Sequence, residues 1–517
     1  MKGINMISAN ERTRIPPTGR RAFLGGSAAL ASLSALGFLP TLAGCAAGDE
    51  IEALQARLKG KAVRRDTEFY EPWRQSMIWQ TQKFPRRPEI IVQAENVADV
   101  VAAVNHARET GRRVTTRGGG HSFCGCFLRD DGMLIDVSRL STIEIDAARG
   151  EAVVGPGVIG RRLQEELGEL NLAFPTAHCG MVPISGFLLG GGLGWNGNAW
   201  GGMSVYNILE VEIVTADGQI RIASETVNPD MFWAVRGGGP GLFGVVTRFR
   251  LKCHPKPPAM RSHTLIFPFT RTAEAAKAME EIGPMLPKNV ELIGVISAAP
   301  PDMKQACSAP GCDQVFILQA VAFTDSEPEA LAGMKPLADH PVTKLAIANI
   351  PNAPESFENL YYGNEVPFPQ RRYCVDNIYA DSLEKPVEVL VRHMPSSPSR
   401  ATAPVLLYKG RPDLPDGACA TKGNFYVSCY AQWDDPALDK AQKDWLIALY
   451  EELQPLGTGS YINELNQEGR SHRIKECYTP EGWTKLAGLR AKFDPGHVFH
   501  SFYGLEPQSS KSGKDQS

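Results

Sequence analysis

Arg117-Gly118-Gly119-Gly120-His121-Ser122 is the stretch on which the reading of this chain turns. Three consecutive glycines let backbone N–H groups face inward with no side chain in the way, the geometry that cradles a pyrophosphate. The stretch does not open a helix with G-x-G-x-x-G spacing, so a dinucleotide-fold NAD site is disfavoured. Most glycine triplets are simple turns. The histidine that follows sets this one apart, because an imidazole beside a phosphate cradle is placed to bond the rest of the same ligand.

Working outward, Glu89-Ile90-Ile91-Val92 predicts a short buried strand, and Asn96 caps a helix whose Val97, Val100, Val101, Val104 and Ala107 follow the helical period. Gly111 stops that helix, and Arg113-Val114-Thr115-Thr116 is the next strand, so a β-α-β unit delivers the chain into the glycine loop. Strand-rich residues 133–156, a helix over 159–170, a glycine-rich stretch at 186–202, a hairpin over 208–222 turning at Asp217-Gly218 and a strand from Gly244 to Lys252 complete an α+β region spanning 85–256. His254-Pro255-Lys256-Pro257-Pro258 punctuates its end. Residues 257–460 alternate strands (263–267, 291–297, 314–321, 404–409, 424–432) with amphipathic helices (272–282, 328–337, 383–393, 436–453). That order predicts an antiparallel sheet covered by helices on one face. Residues 461–505 are read as returning to the first region, 506–517 as a solvated tail, and 45–84 as a polar, partly helical lead-in with no recognisable chemistry.

Arg-Gly-Gly-Gly-His-Ser after a β-α-β unit resembles the vanillyl alcohol oxidase superfamily of flavoproteins, and within it the berberine bridge enzyme-like oxidases. The resemblance implies a two-domain α+β fold, an FAD-binding domain plus an antiparallel-sheet substrate domain. It also implies covalent FAD, with His121 bonded to the flavin 8α-methyl. Many members add a cysteine bonded to flavin C6, in a stretch of the form Cys-x-x-Val-x-x-Ser-Gly before a glycine cluster. Here Cys179-Gly180-Met181-Val182-Pro183-Ile184-Ser185-Gly186 is followed by Gly190-Gly191-Gly192-Leu193-Gly194, which makes Cys179 the second attachment point; a buried structural cysteine is the alternative. Gly180 replaces the usual proline, and His178 stands where a small residue is common.

The same resemblance assigns Arg117, Gly118, Gly119, Gly120, Ser122, Val182, Ser185, Gly186, Gly190, Gly191, Gly192 and Gly194 to the cofactor cradle. Residues 201–209 resemble the segment beneath the flavin and its phosphates, which adds Asn207. Residues 230–239 and 243–247 resemble the stretch near the adenine, which adds Val245. Val366-Pro367-Phe368-Pro369-Gln370-Arg371 and Lys492–Phe499 match further family segments.

Two attachments let a protein leave the flavin ring open to a wide cleft without losing it, and a covalent bond raises the flavin's reduction potential. The protein must then supply position and a base. The family's Tyr-x-Asn-Tyr motif reads Tyr461-Ile462-Asn463-Glu464 here, so Glu464 occupies the place of the candidate base. It can serve if burial raises its pKa, and not if it sits on a solvated loop. Tyr461, Tyr373 and Glu365 are the alternatives, and Tyr361, Tyr362, Phe368 and Tyr373 are expected to line an aromatic cleft. The implied reaction is hydride removal from a C–OH, C–N or activated C–H group of a small-molecule substrate. Sugars, phenolic natural products and alkaloid-like amines all remain open.

In the resembling family the third residue after the bonded cysteine borders the carbon where oxygen reacts, a valine leaving space that a leucine fills. Val182 therefore implies molecular oxygen as acceptor, with hydrogen peroxide as product. A dehydrogenase using a quinone-like acceptor is the alternative, and an exported binding lipoprotein without catalysis is a reading from another class.

The bulk composition is that of an ordinary globular protein, with 43% hydrophobic and 21% charged residues and a net charge of −3 that gives no reason to expect a nucleic-acid partner. Arg20-Arg21-Ala22-Phe23-Leu24 precedes an apolar, small-residue stretch from Ala28 to Ala43, the pattern of a twin-arginine export signal over 1–44. The apolar run is too short to be a spanning helix. Leu42-Ala43-Gly44-Cys45 resembles a lipobox, making Cys45 a candidate lipid anchor and the expected location periplasmic or membrane-anchored. Among eleven cysteines, Cys307 and Cys312 bracket a turn and are the candidate short bridge, whereas Cys124-Gly125-Cys126 is too tight to pair comfortably and lacks the partners of a zinc site.

Overall fold

The β-α-β signal around the glycine loop becomes part of a small sheet. A computed structural model describes residues 50–299, 314–419 and 422–505. In it, strands β1 (Lys61–Arg64), β2 (Ile90–Gln93), β3 (Val114–Arg117) and β4 (Met133–Asp136) are ordered β1-β2-β4-β3. β2 and β3 both run parallel to β4, which lies between them, and β1 is antiparallel to β2. The helix Val97–Glu109 crosses between β2 and β3, started by the Asn96 side chain accepting from the Asp99 N–H at 2.9 Å. Its Val100, Ala103, Val104 and Ala107 pack on Ile90, Val92, Met133 and Ile135. β3 ends at Arg117, so the glycine loop leaves the end of a buried strand.

Next come β5 (Ile143–Asp146), β6 (Glu151–Val154), the two-residue β7 (Leu172–Ala173), β8 (Ile208–Thr215), β9 (Ile220–Ser224), β10 (Gly244–Lys252) and the two-residue β11 (His254–Pro255). Five of them form an antiparallel sheet of order β5-β6-β10-β8-β9, and β7 pairs with β11. The β8–β9 hairpin turns at Asp217-Gly218, with Gly218 at φ +74° and the Asp217 carboxylate accepting from Thr215 Oγ1 at 2.7 Å.

The remaining strands are β12 (Ala259–Pro268), β13 (Val290–Ala298), β14 (Gln314–Thr324), β15 (Ala348–Pro354), β16 (Arg372–Ala380), β17 (Ala403–Tyr408) and β18 (Phe425–Trp433). They make one antiparallel sheet of order β15-β12-β14-β13-β17-β18-β16. Period-two alternation sorts its faces. Leu292, Leu406, Phe425, Val427, Cys429, Ala431 and Trp433 join a core with the helices Thr272–Ile282, Glu327–Ala338, Glu384–His393 and Asp439–Leu453. Ile293, Val295, Val405, Leu407, Tyr426 and Tyr430, between them in sequence, line a large cavity on the other face. The antiparallel sheet and its helical cover are as the sequence predicts; β15 and β16 are strands the sequence reading did not identify.

The C-terminal segment closes on the first sheet. The Val114 N–H donates to the Val498 carbonyl at 2.7 Å, and the His500 N–H to the Val114 carbonyl at 2.9 Å. The turn before it is held by the buried Asp494, whose carboxylate accepts from the Val498 and Phe499 N–H groups at 2.7 and 2.9 Å. Arg20-Arg21, Cys45, Cys307, Cys312 and the 506–517 tail lie outside the described residues. Among the described residues no helix is long and apolar enough to cross a membrane, and the eight cysteines are free thiols.

Candidate active site

The glycine loop, the Cys179 segment, the outer face of the seven-stranded sheet and residues 461–467 meet around one cavity of about 370 Å³. Arg117, Gly118, Gly119, Gly120, His121, Ser122, Cys179, Val182, Ser185, Gly186, Tyr373, Tyr461 and Glu464 all border it. The loop admits nothing larger than glycine. A Cβ at Gly118 would fall 2.1 Å from Ser185 Oγ, at Gly119 2.0 Å from Pro183 Cγ, and at Gly120 1.8 Å from the Met77 carbonyl oxygen. Gly120 also holds φ at +77°. Arg117 pins the loop from below, its guanidinium donating to Asp136 Oδ1 at 2.9 Å and to the Met77 and Gly119 carbonyls at 2.8 and 3.1 Å.

His121 stacks on Trp79 with ring centroids 4.2 Å apart and an interplanar angle of 22°. Its Nε2 is buried and meets no hydrogen-bond partner. Burial pushes its pKa down to about 4, so the imidazole is neutral at physiological pH. Cys179 donates weakly to Glu365 Oε1 at 3.7 Å, and Glu365 in turn is paired with Arg161 at 2.9 Å. Burial, with the Glu365 charge adding to it, pushes the Cys179 thiol up to about 11 against the Met181 backbone bond. Glu365 is therefore committed to Arg161 and Cys179 rather than to a substrate.

Glu464 does not sit on a solvated loop. Its Oε2 accepts from the Tyr430 hydroxyl at 2.7 Å and from the Tyr426 hydroxyl as well. Burial raises its pKa, while those two hydrogen bonds and the His178 imidazole pull it back. Tyr461 is locked differently. Its hydroxyl accepts from the Gly192 N–H at 3.1 Å and from Asn463 Nδ2 at 2.8 Å, and its own N–H and carbonyl are both held by the Asn377 side chain. Burial raises its phenol's pKa. Tyr373 donates its hydroxyl to the Pro369 carbonyl at 2.5 Å, and burial raises it too. Neither phenol is prepared to ionise, and Glu464 is the carboxylate that borders the cavity beside them.

Six residues expected in the cradle do not border the cavity, and each has another task. Added Cβ atoms at Gly190, Gly191, Gly192 and Gly194 would strike Asn463 Oδ1 at 1.9 Å, Cys419 Sγ at 2.6 Å, Ser204 Cβ at 2.8 Å and the Pro175 carbonyl oxygen at 2.3 Å. This cluster is a close-packed floor that positions Tyr461 and Asn463. The Asn207 amide donates to the Trp200 carbonyl at 2.7 Å and its oxygen meets His254 Nε2 at 2.7 Å. Val245 is a core residue with no exposed surface, and its neighbours Gly244 and Val246 reach the cavity instead. The expected aromatic cleft is half right. Phe368 and Tyr373 line the cavity, but Tyr361 is buried with its hydroxyl 2.5 Å from Thr176 Oγ1, and Tyr362 is 68% exposed.

Several residues at the site were not singled out from sequence. Trp79, in the segment read as featureless lead-in, donates its N–H to the Gly120 carbonyl at 3.0 Å besides stacking on His121. Next to it, Gln80 bridges from the Phe123 carbonyl to the Tyr373 N–H. Phe123 contacts Tyr373 and Tyr430 at centroid distances of 5.6 Å each, and Phe368 contacts Tyr430 at 5.0 Å. The alternation of Phe425-Tyr-Val-Ser-Cys-Tyr-Ala-Gln-Trp433 was the available signal for Tyr426 and Tyr430.

The donor set fits a flavin dinucleotide. A glycine cradle, the orphaned buried atoms His121 Nε2 and Ser185 Oγ, and a long cavity flanked by apolar strands share one space. Residues 88–224, which contain the loop, Cys179 and Val182, match the family model described as FAD binding domain. Over 436 residues the chain is 28% identical to FAD-linked oxidoreductase janO of Penicillium janthinellum, covering 82% of this chain and 93% of that protein. The chain is an FAD-dependent oxidoreductase with the berberine bridge enzyme-like fold. This oxidoreductase is also 26% identical to (R)-6-hydroxynicotine oxidase of Paenarthrobacter nicotinovorans, over 84% of its own length and 94% of the relative's. It superposes on berberine bridge enzyme from Eschscholzia californica with a TM-score of 0.72 at 17% identity, covering 89% of this chain and 99% of the other.

Proposed function

We propose that this oxidoreductase holds FAD covalently through His121 and Cys179, oxidises a small and largely apolar alcohol or amine, and passes the electrons to molecular oxygen. The observation that carries the reading is the placement of Glu464, bonded to Tyr426 and Tyr430, on the same cavity wall system as His121 and Cys179. Bound FAD supplies a two-electron acceptor. The protein's own groups do the rest. The neutral His121 imidazole keeps a nitrogen lone pair for attachment, and Glu365 Oε1 accepts the Cys179 S–H at 3.7 Å and orients the sulfur. Glu464 takes the proton of a substrate hydroxyl or ammonium, and burial raises its pKa above the ordinary glutamate range, toward that of a better base.

The walls favour one substrate class. Ile293, Val295, Val405, Leu407 and Phe368 present hydrocarbon to the cavity. A sugar would leave several hydroxyls unpaired against them, whereas a phenolic or alkaloid-like substrate would not. The Arg20-Arg21 leader supports export by the twin-arginine route to the periplasm, with Cys45 as lipid anchor.

The test is anaerobic bleaching of the flavin by a panel of apolar cyclic amines, benzylic alcohols and neutral oligosaccharides. Reduction by members of the first two groups is expected. Reduction by oligosaccharides alone would contradict the substrate class.

A further inference from the structure

The residues just past His121 form a second chemical group that the oxidation of substrate does not use. Ser122 Oγ lies 3.4 Å from Cys126 Sγ, to which it donates, and 3.6 Å from Cys124 Sγ. The Cys126 N–H donates back to the same hydroxyl at 3.4 Å. Gly125, between the two cysteines, takes φ +54° and folds them around that hydroxyl. The turn is fixed from outside, with Arg86 donating to the Cys124 and Gly125 carbonyls at 2.5 and 3.3 Å. Cys126 borders the cavity together with His121 and Ser122.

We propose that Cys124 and Cys126 are a peroxide-reactive pair, in which Cys126 on the cavity wall is oxidised by hydrogen peroxide and Cys124 converts it to a reversible disulfide. The proposal rests on oxygen being the electron acceptor, because the peroxide is then released into the cavity that Cys126 borders. In the first step the Cys126 thiolate attacks one peroxide oxygen. The O–O bond breaks, the departing hydroxide takes a proton to become water, and Cys126 is left as a sulfenic acid. In the second step Cys124 sulfur attacks Cys126 sulfur, the S–O bond breaks, and the oxygen leaves as water with the Cys124 proton. Two thiols lose two electrons in all, and one peroxide becomes two waters. A thiol reductant reopens the bridge.

The electrostatics agree with the division of roles. The two sulfurs meet at one hydroxyl, with Ser122 Oγ 3.4 Å from Cys126 Sγ and 3.6 Å from Cys124 Sγ. Cys124 holds Cys126 below the ordinary thiol range, with Ser122, Arg129 and Arg86 helping against burial. Cys124 is correspondingly raised. A low thiol on a cavity beside a resolving neighbour is the arrangement that peroxide-sensing cysteines use. The tightness of a bridge across one residue argues against a permanent disulfide and for an easily reduced one.

The experiment uses the full FAD-loaded chain in two arms, read by peptide mass mapping of residues 117–129. In one arm hydrogen peroxide is added to oxidised enzyme. In the other, enzyme photoreduced with EDTA is reoxidised in air, with and without catalase. Added peroxide should join Cys124 to Cys126 with the loss of two hydrogens, reversibly by dithiothreitol, and Cys124→Ser should trap Cys126 as its dimedone adduct. Both thiols intact after added peroxide, or Cys126 overoxidised with no bridge in the unmutated chain, would overturn the pair. A bridge with added peroxide but none after air reoxidation would leave the pair standing and refute oxygen as the acceptor.

Discussion

The Tyr430 hydroxyl donates to Glu464 Oε2 at 2.7 Å, and the Tyr426 hydroxyl reaches the same oxygen. Both phenols come from one strand, β18, where residues four apart face the same side. One carboxylate oxygen therefore takes two donors, and no described residue claims Oε1 by hydrogen bond. Burial pushes the Glu464 pKa up and the two hydroxyls pull it back, the balance a base at this position would need.

Glu464→Gln should slow anaerobic flavin reduction by about two to four orders of magnitude while substrate binding is nearly kept. In the unmutated enzyme the reduction rate should rise with pH as the carboxyl loses its proton, through a pKa above the ordinary glutamate value. Tyr430→Phe removes a bond that favours the charged form, so it should move that limb to higher pH. A limb moving to lower pH, or a Gln variant reducing its flavin at the normal rate, would take the base role from Glu464.

Gly120→Ala should lose flavin. The new methyl would sit 1.8 Å from the Met77 carbonyl oxygen at a φ of +77°, so the loop must shift, at a cost of about 1–3 kcal/mol. Gly363→Ala is the control. No atom lies within 4 Å of its Cβ, it is inside the helix Phe357–Glu365, and it should gain about 0.4–1 kcal/mol with full flavin content. The ratio of flavin absorbance to protein absorbance, with a melting curve, reads both.

Trp79→Ala should lower thermal stability and slow flavin attachment. It removes the ring stacked on His121, worth about 0.5–1.5 kcal/mol beyond the area it covers, and leaves the imidazole free to turn. Time-resolved incorporation of FAD into apoprotein distinguishes the positioning effect from simple instability, because Trp79→Phe should restore the rate. Failure of the phenylalanine to rescue would make the contact merely structural.

Val182→Leu should slow reoxidation by oxygen selectively and leave reduction by substrate unchanged. Val182 borders the cavity and packs partly against the core, so an added methylene has little room except into the cavity. Stopped-flow mixing of reduced enzyme with air-saturated buffer measures it. Equal oxygen rates in both proteins would remove Val182 from the oxygen path.

What was legible in the sequence is what local chemistry determines. Asn96 caps its helix, Gly218 turns its hairpin, and the glycine triplet ends a strand because each acts within a few residues. β16 escaped because Asp376 and Asn377 interrupt its apolar pattern. Their partners, Arg473 at 2.9 Å and the Tyr461 backbone, lie far along the chain. Trp79 escaped for the same reason, as its meaning comes from a ring some forty residues away. At Gly190–Gly194 the pattern was seen but not what packs there, since a glycine that admits a ligand and one that admits Asn463 are indistinguishable until the fold is closed.

The central claim is that His121 and Cys179 both bond the flavin. The most direct measurement is to denature the purified, FAD-loaded protein in acid, precipitate it, and map the yellow peptides by mass spectrometry. The expected result is one yellow cross-linked species in which a single flavin joins the His121 peptide to the Cys179 peptide, with His121→Ala and Cys179→Ala each keeping a single bond and the double variant none. All of the FAD appearing in the supernatant of the unmutated protein would contradict it.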